Sequence, residues 1–116
     1  VTRGVNPDAI ETIEIRDTNE HVSTTVDIRT VGRALCKIVN SLDQDISVTL
    51  QGTTFDDPEF EDPVSIGTNG LSVGAGETGY LTTNDPFSYL RVKVKADTAP
   101  TDGDVKLVWE FKHGRD

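Results

Sequence analysis

Methionine is absent from this chain of 116 residues, cysteine and tryptophan occur once each, and histidine occurs twice. A lone cysteine closes no internal disulfide, so no disulfide scaffold carries the fold. Cys36 lies in the apolar run Leu35-Cys36-Lys37-Ile38-Val39 and is expected as a small buried hydrophobe; a nucleophile or an intermolecular bridge is the alternative. His21 falls in a turn and His113 in the C-terminal tail, and neither adjoins a Gly-x-Ser-x-Gly elbow, so imidazole-based catalysis has little to work with. Carboxylates are too abundant for any pair to point to glycoside hydrolysis. The chain is therefore expected not to be an enzyme. No apolar run approaches the roughly 20 residues of a membrane-spanning helix. Val1-Thr2-Arg3-Gly4 lacks the apolar centre of a signal peptide. With no methionine ahead of it, Val1 is what aminopeptidase trimming leaves, and maturation of a longer precursor leaves the same.

Bases are missing from the middle of the chain. All 11 lie either at or before Lys37 or at and beyond Arg91, while nine acids stand between those positions. The net charge of -9 thus belongs to the centre, and the two flanks are neutral. An acidic balance excludes nucleic acid and anionic membrane as expected partners, because both demand a basic surface. Asp outnumbers Glu 13 to 7 and Arg outnumbers Lys 6 to 5, a composition that suits high salt, where a Debye length of about 3 Å weakens repulsion among acids. A halophilic source is expected.

What is present is period-two alternation, with no helical stripe. One domain is expected over 10–112, with an N-terminal arm at 1–9 and a tail at 113–116. Ile13 and Ile15 mark a short first strand. Val22, Thr24, Val26 and Ile28 share one face of a long second strand, with Ser23 and Thr25 on the other. Residues 34–41 carry apolar side chains on both faces, which suits a strand covered on both sides. Residues 46–51 form the clearest half-buried strand, and Gly52 to Pro63 a surface excursion. Asn69-Gly70 predicts a turn between short strands at 64–66 and 71–73. Further strands follow at 78–83, 88–95 and 105–111, the last two expected to pair antiparallel. About eight short strands punctuated by Gly and Pro predict an all-β, antiparallel β-sandwich of jelly-roll or Ig-like type, a closed barrel coming second.

Three groups of residues are candidate sites. Asp56, Asp57, Glu59, Glu61 and Asp62 offer oxygen ligands of the kind Ca²⁺ takes, although their spacing matches no EF-hand; a solvated acidic loop is the alternative, and no other cofactor is expected. Phe55 and Phe60 are expected to anchor this loop, with an exposed Phe60 as a partner contact the competing reading. Arg91, Lys93 and Lys95 form an outward basic stripe, read as pairing with acids across strands or docking on an acidic protein. Trp109, in phase with Val105, Leu107 and Phe111, is expected in the core rather than on a sugar platform with Tyr80 and Tyr89.

The stretch from Leu35 to Phe111 resembles small β-rich structural proteins of tailed bacterial and archaeal viruses. The residues that carry this are Ile38 to Gly52, Val73-Gly74-Ala75-Gly76-Glu77-Thr78-Gly79-Tyr80, Pro86-Phe87-Ser88-Tyr89-Leu90-Arg91-Val92 and Ala99-Pro100-Thr101-Asp102-Gly103. The resemblance implies a virion component: a capsid decoration or turret protein, or a tail or baseplate module. Its expected partners are copies of itself, as a trimer or pentamer, and other virion proteins. With the acidic composition, a virus of halophilic archaea is the expected source. The competing function is a tail or cell-surface module that binds a glycan or host receptor.

Overall fold

In the computed structural model, residues 9–29 and 31–112 are described; the arm and tail expected at the termini fall outside them apart from Ala9. Nine strands form two antiparallel sheets: β1 (Ala9–Ile13), β2 (His21–Val22), β3 (Val26–Asp27), β4 (Arg33–Asn40), β5 (Ile46–Thr53), β6 (Val64–Val73), β7 (Thr78–Thr83), β8 (Tyr89–Ala96) and β9 (Val105–Lys112). The first sheet, A, runs β1-β9-β4-β7, and the second, B, runs β2-β8-β5-β6, with β3 also pairing to β8. Counting β2 and β3 as one interrupted strand, this is the eight-strand order of a jelly roll.

Strict alternation puts the core between the sheets. Cys36 and Ile38 from β4, Ile46, Val48 and Leu50 from β5, Leu90, Val92 and Val94 from β8, and Val105, Leu107 and Trp109 from β9 are all buried there. Each fully buried side chain of this size contributes about 1.5–3 kcal/mol, so β4, β5, β8 and β9 supply most of the core. Trp109 stacks on Phe111, ring centroids 5.9 Å apart, as the core reading of both expected. Cys36 is fully buried, and burial pushes its thiol up to about 12, which leaves it a packing residue and not a nucleophile.

Three expectations about connectivity fail. First, β8 and β9 do not pair, because β8 lies in sheet B and β9 in sheet A. Alternation reports which face is buried and is silent on the neighbour, and the 97–104 connection arches between the sheets. Gly103 makes that arch: its φ is +88°, and a Cβ there would stand 1.9 Å from the Ser41 carbonyl oxygen. Asp43 holds the other side, accepting from the Thr101 N–H (3.0 Å) and hydroxyl (2.6 Å).

Second, Asn69-Gly70 is not a hairpin turn. β6 is one strand whose two ends both pair with β5, with a register shift opposite Thr49. Gly70 is needed there with φ +77°, since a Cβ would meet Thr49 Oγ1 at 2.8 Å and the Val48 carbonyl oxygen at 2.9 Å. Third, the long second strand is broken at 23–25. Ser23 turns inward, accepting from the Val92 N–H at 2.8 Å and donating to the Thr24 carbonyl at 3.0 Å, so a hydroxyl replaces a ladder bond. Val22 is consequently turned out to solvent.

The buried Asn40 amide ties one end together. Its Nδ2 donates to the carbonyls of Gln44 (3.0 Å), Val73 (3.0 Å) and Gly74 (3.1 Å), and its Oδ1 accepts from the Leu42 N–H (3.0 Å). It thereby joins the β4–β5 and β6–β7 connections, and its four bonds satisfy an amide that is itself fully buried.

Candidate interaction surfaces

The expected sites all lie on or beside the outer face of sheet B, and that face is closed on itself. Residues 54–63 fold back across it instead of standing off as an excursion. Thr53 Oγ1 donates to Asp57 Oδ2 at 2.7 Å, while Asp57 also accepts from the N–H groups of Glu61 (2.8 Å) and Asp62 (2.9 Å). These bonds, the Asp62 N–H first, hold the Asp57 carboxyl below the usual carboxylate range. Under the loop, Gln51 and Thr53 are buried although they point away from the core.

Phe60 is only 5 % exposed, in a left-handed conformation with φ 56°, and the Arg91 guanidinium lies over its ring at 4.4 Å. A partner contact through an exposed Phe60 is therefore overturned, since the ring is the loop's anchor. Phe55 reverses the other expectation: it is 71 % exposed and anchors nothing. The sequence held no signal to separate the two, as both are aromatic residues in the same acidic segment.

The basic stripe is likewise engaged within the chain. Arg91 Nε donates to Gln51 Oε1 at 2.8 Å, Lys93 lies 3.4 Å from Glu20, and Lys95 lies 3.4 Å from Asp97. Beside them Arg29 lies 5.3 Å over Tyr89 and pairs with Asp27. His21 bonds Asp17 at 2.8 Å, and this contact, with the Asn19 N–H, lowers the Asp17 carboxyl.

The five acids proposed for Ca²⁺ do not converge. Among the described residues no group of three or more His, Cys, Asp or Glu side chains is placed to hold a metal. Asp56, Asp57, Glu61 and Asp62 do line a shallow acidic cleft of about 460 Å³, walled by Thr53, Thr54, Val64 and Phe87. Asp57 is occupied in capping backbone N–H groups, and Glu59 lies outside the cleft.

The outer face of sheet A is different. Register places Ile10, Val108, Lys37 and Tyr80 in one row across all four strands. Leu35 and Glu110 flank it on one side, Val39 and Lys106 on the other. Ile10 is 69 % and Tyr80 56 % exposed, and Leu35, Val39 and Val108 are half-buried. In the strands of this face the outward charges are four bases (Arg33, Lys37, Lys106, Lys112) against one acid, Glu110. The apolar residues on both faces of the 34–41 strand predicted cover on both sides, whereas among the described residues no element covers the outer ones. At one end of the sheet a cleft of about 640 Å³ opens, floored by Ala34, Leu35 and Ile66 and rimmed by Thr82, Asn84, Asp85 and Glu110. No aromatic ring lines it.

No family model matches the chain, and no curated protein matches it. Among solved structures, that of PirA aligns with a TM-score of 0.57 at 18 % identity, over 96 % of this chain and 98 % of that one. A structure of infectious bursal disease virus, Gx strain, aligns with a TM-score of 0.40 at 12 % identity, over 97 % of this chain and 35 % of that one. A carbohydrate-binding module from the β-sandwich superfamily aligns with a TM-score of 0.36 at 10 % identity, over 90 % of this chain and 56 % of that one. The likeness to PirA, at 18 % identity, is a likeness of fold alone: this chain is an antiparallel β-sandwich.

Proposed function

We propose that this protein is a non-enzymatic structural subunit that assembles with copies of itself, as a decoration or turret protein on the capsid of a tailed virus of halophilic archaea. The observation that carries the reading is the outer face of sheet A, where Ile10, Leu35, Val39, Val108 and Tyr80 lie in adjoining register rows that no element among the described residues covers. A half-apolar face of this kind is a natural subunit interface, since association removes it from water at about 25 cal/mol per Å² of apolar area. Acidic residues elsewhere keep assembled particles apart in solution. The virion setting comes from the sequence resemblance and the acidic composition.

A second reading, a glycan- or receptor-binding module, draws on the polar-rimmed cleft at one end of sheet A. One experiment separates the two. The mass of the purified chain is measured by sedimentation equilibrium from low to molar salt, for the unaltered chain and for Val108→Asp. The structural reading expects a closed trimer or pentamer that survives molar salt and falls to monomer in the variant. A monomer at every salt concentration, with glycan binding retained, overturns it in favour of the module.

A further inference from the structure

The surface that faces sheet A in such an assembly is open to identification by charge. A two-fold contact, sheet A against sheet A, would oppose Lys37, Lys106 and their basic neighbours to their own copies, and like charges brought together cost several kcal/mol. The complementary surface is present on the same chain. The 54–62 loop carries the acidic cleft formed with Glu61 and Asp62, and beside it Phe55 stands 71 % and Val64 50 % exposed. This loop packs on the outer face of sheet B, the side of the sandwich opposite to sheet A.

Resting on the subunit reading above, we infer that the acidic 54–62 loop of one copy docks on the basic, apolar outer face of sheet A of the next. A lysine from that face enters the acidic cleft, its methylene stem lying along Val64 and Phe87, while Phe55 covers the neighbouring apolar row. The contact joins two different surfaces and is therefore head-to-tail, which closes into a ring when the rotation permits. A trimer or pentamer is such a ring, whereas a two-fold dimer is not.

The test is a charge swap on the full chain at about 0.15 M salt, where the Debye length of about 8 Å leaves close pairs effective. Lys37→Glu with Lys106→Glu reverses the face; Glu61→Lys with Asp62→Lys reverses the loop and leaves Asp57 and Phe60 in place. All four side chains are partly or fully exposed, and thermal melts check that each variant folds. Each double variant alone is expected to associate at least about tenfold more weakly than the unaltered chain. Mixed together, the two are expected to regain association in alternating assemblies, because the acidic loop of one meets the basic face of the other and the reversed loop meets the reversed face. If the loop variant keeps the unaltered mass while the face variant loses it, this inference is overturned and the subunit reading stands. If the unaltered chain is itself monomeric, both fall.

Discussion

The two outer faces of this sandwich are built from the same kind of strand and meet opposite fates. On sheet B every base of the β8 stripe has an intramolecular partner, and a loop from its own chain buries Gln51 and Thr53 beneath it. On sheet A, half-buried Leu35, Val39 and Val108 lie among lysines with no strand or loop of the described chain across them. The difference teaches that a basic stripe can be paired within its own chain while the apolar residues of another face are not covered by it. Charge in β8 is paired by neighbours, whereas among the described residues no strand or loop packs on the outward apolar residues of β4.

The comparison breaks first at Phe60. Phe60→Ala removes the anchor of the loop over sheet B and is expected to destabilise the fold by about 3 kcal/mol, read from urea unfolding midpoints. Equal stability in the variant would mean that sheet B is no better covered than sheet A. Arg91→Ala loses the cation–π contact and the bond to Gln51, and a loss of about 1–2 kcal/mol is expected in the same assay.

Acid acts in the same direction on that face. Asp57 is held below its ordinary value of 3.8, so its contribution is complete above that value and is lost as pH falls through the lowered one. Asp57→Asn is expected to flatten the stability-versus-pH slope in that acidic window, and an unchanged slope would remove the loop from the account. The smallest effect on folding belongs to sheet A. Val108→Ser is expected to change stability by no more than about 1 kcal/mol, yet to weaken self-association. A large loss of stability without loss of association would make Val108 a core residue and not an interface one.

Much of the fold was legible because alternation is a local property. The eight-residue strands β4, β5, β8 and β9 appear in the sequence within two residues of their ends. Pairing was not legible: β8 and β9 alternate in the same way whether they share a sheet or face each other across the core. Ser23 shows a second limit, since a hydroxyl that bonds Val92 can turn inward where the pattern assigns it to solvent. Phe60 and Phe55 show a third. Which aromatic is buried depends on Asp57 capping two N–H groups and on Arg91, about thirty residues away in sequence, covering the ring. The outward Leu35 and Val39 that carry the proposed surface were legible in β4, while the denser charge of β8 pointed to the opposite sheet.

The central claim is that sheet A is covered by another copy while sheet B is covered by its own chain. Hydroxyl-radical footprinting at low and high protein concentration measures both at once. Protection of Leu35, Tyr80 and Val108 is expected to rise with concentration, and protection of Phe60 to be high throughout. Labelling of Leu35, Tyr80 and Val108 that does not change with concentration, in a sample shown to be oligomeric, would contradict the account.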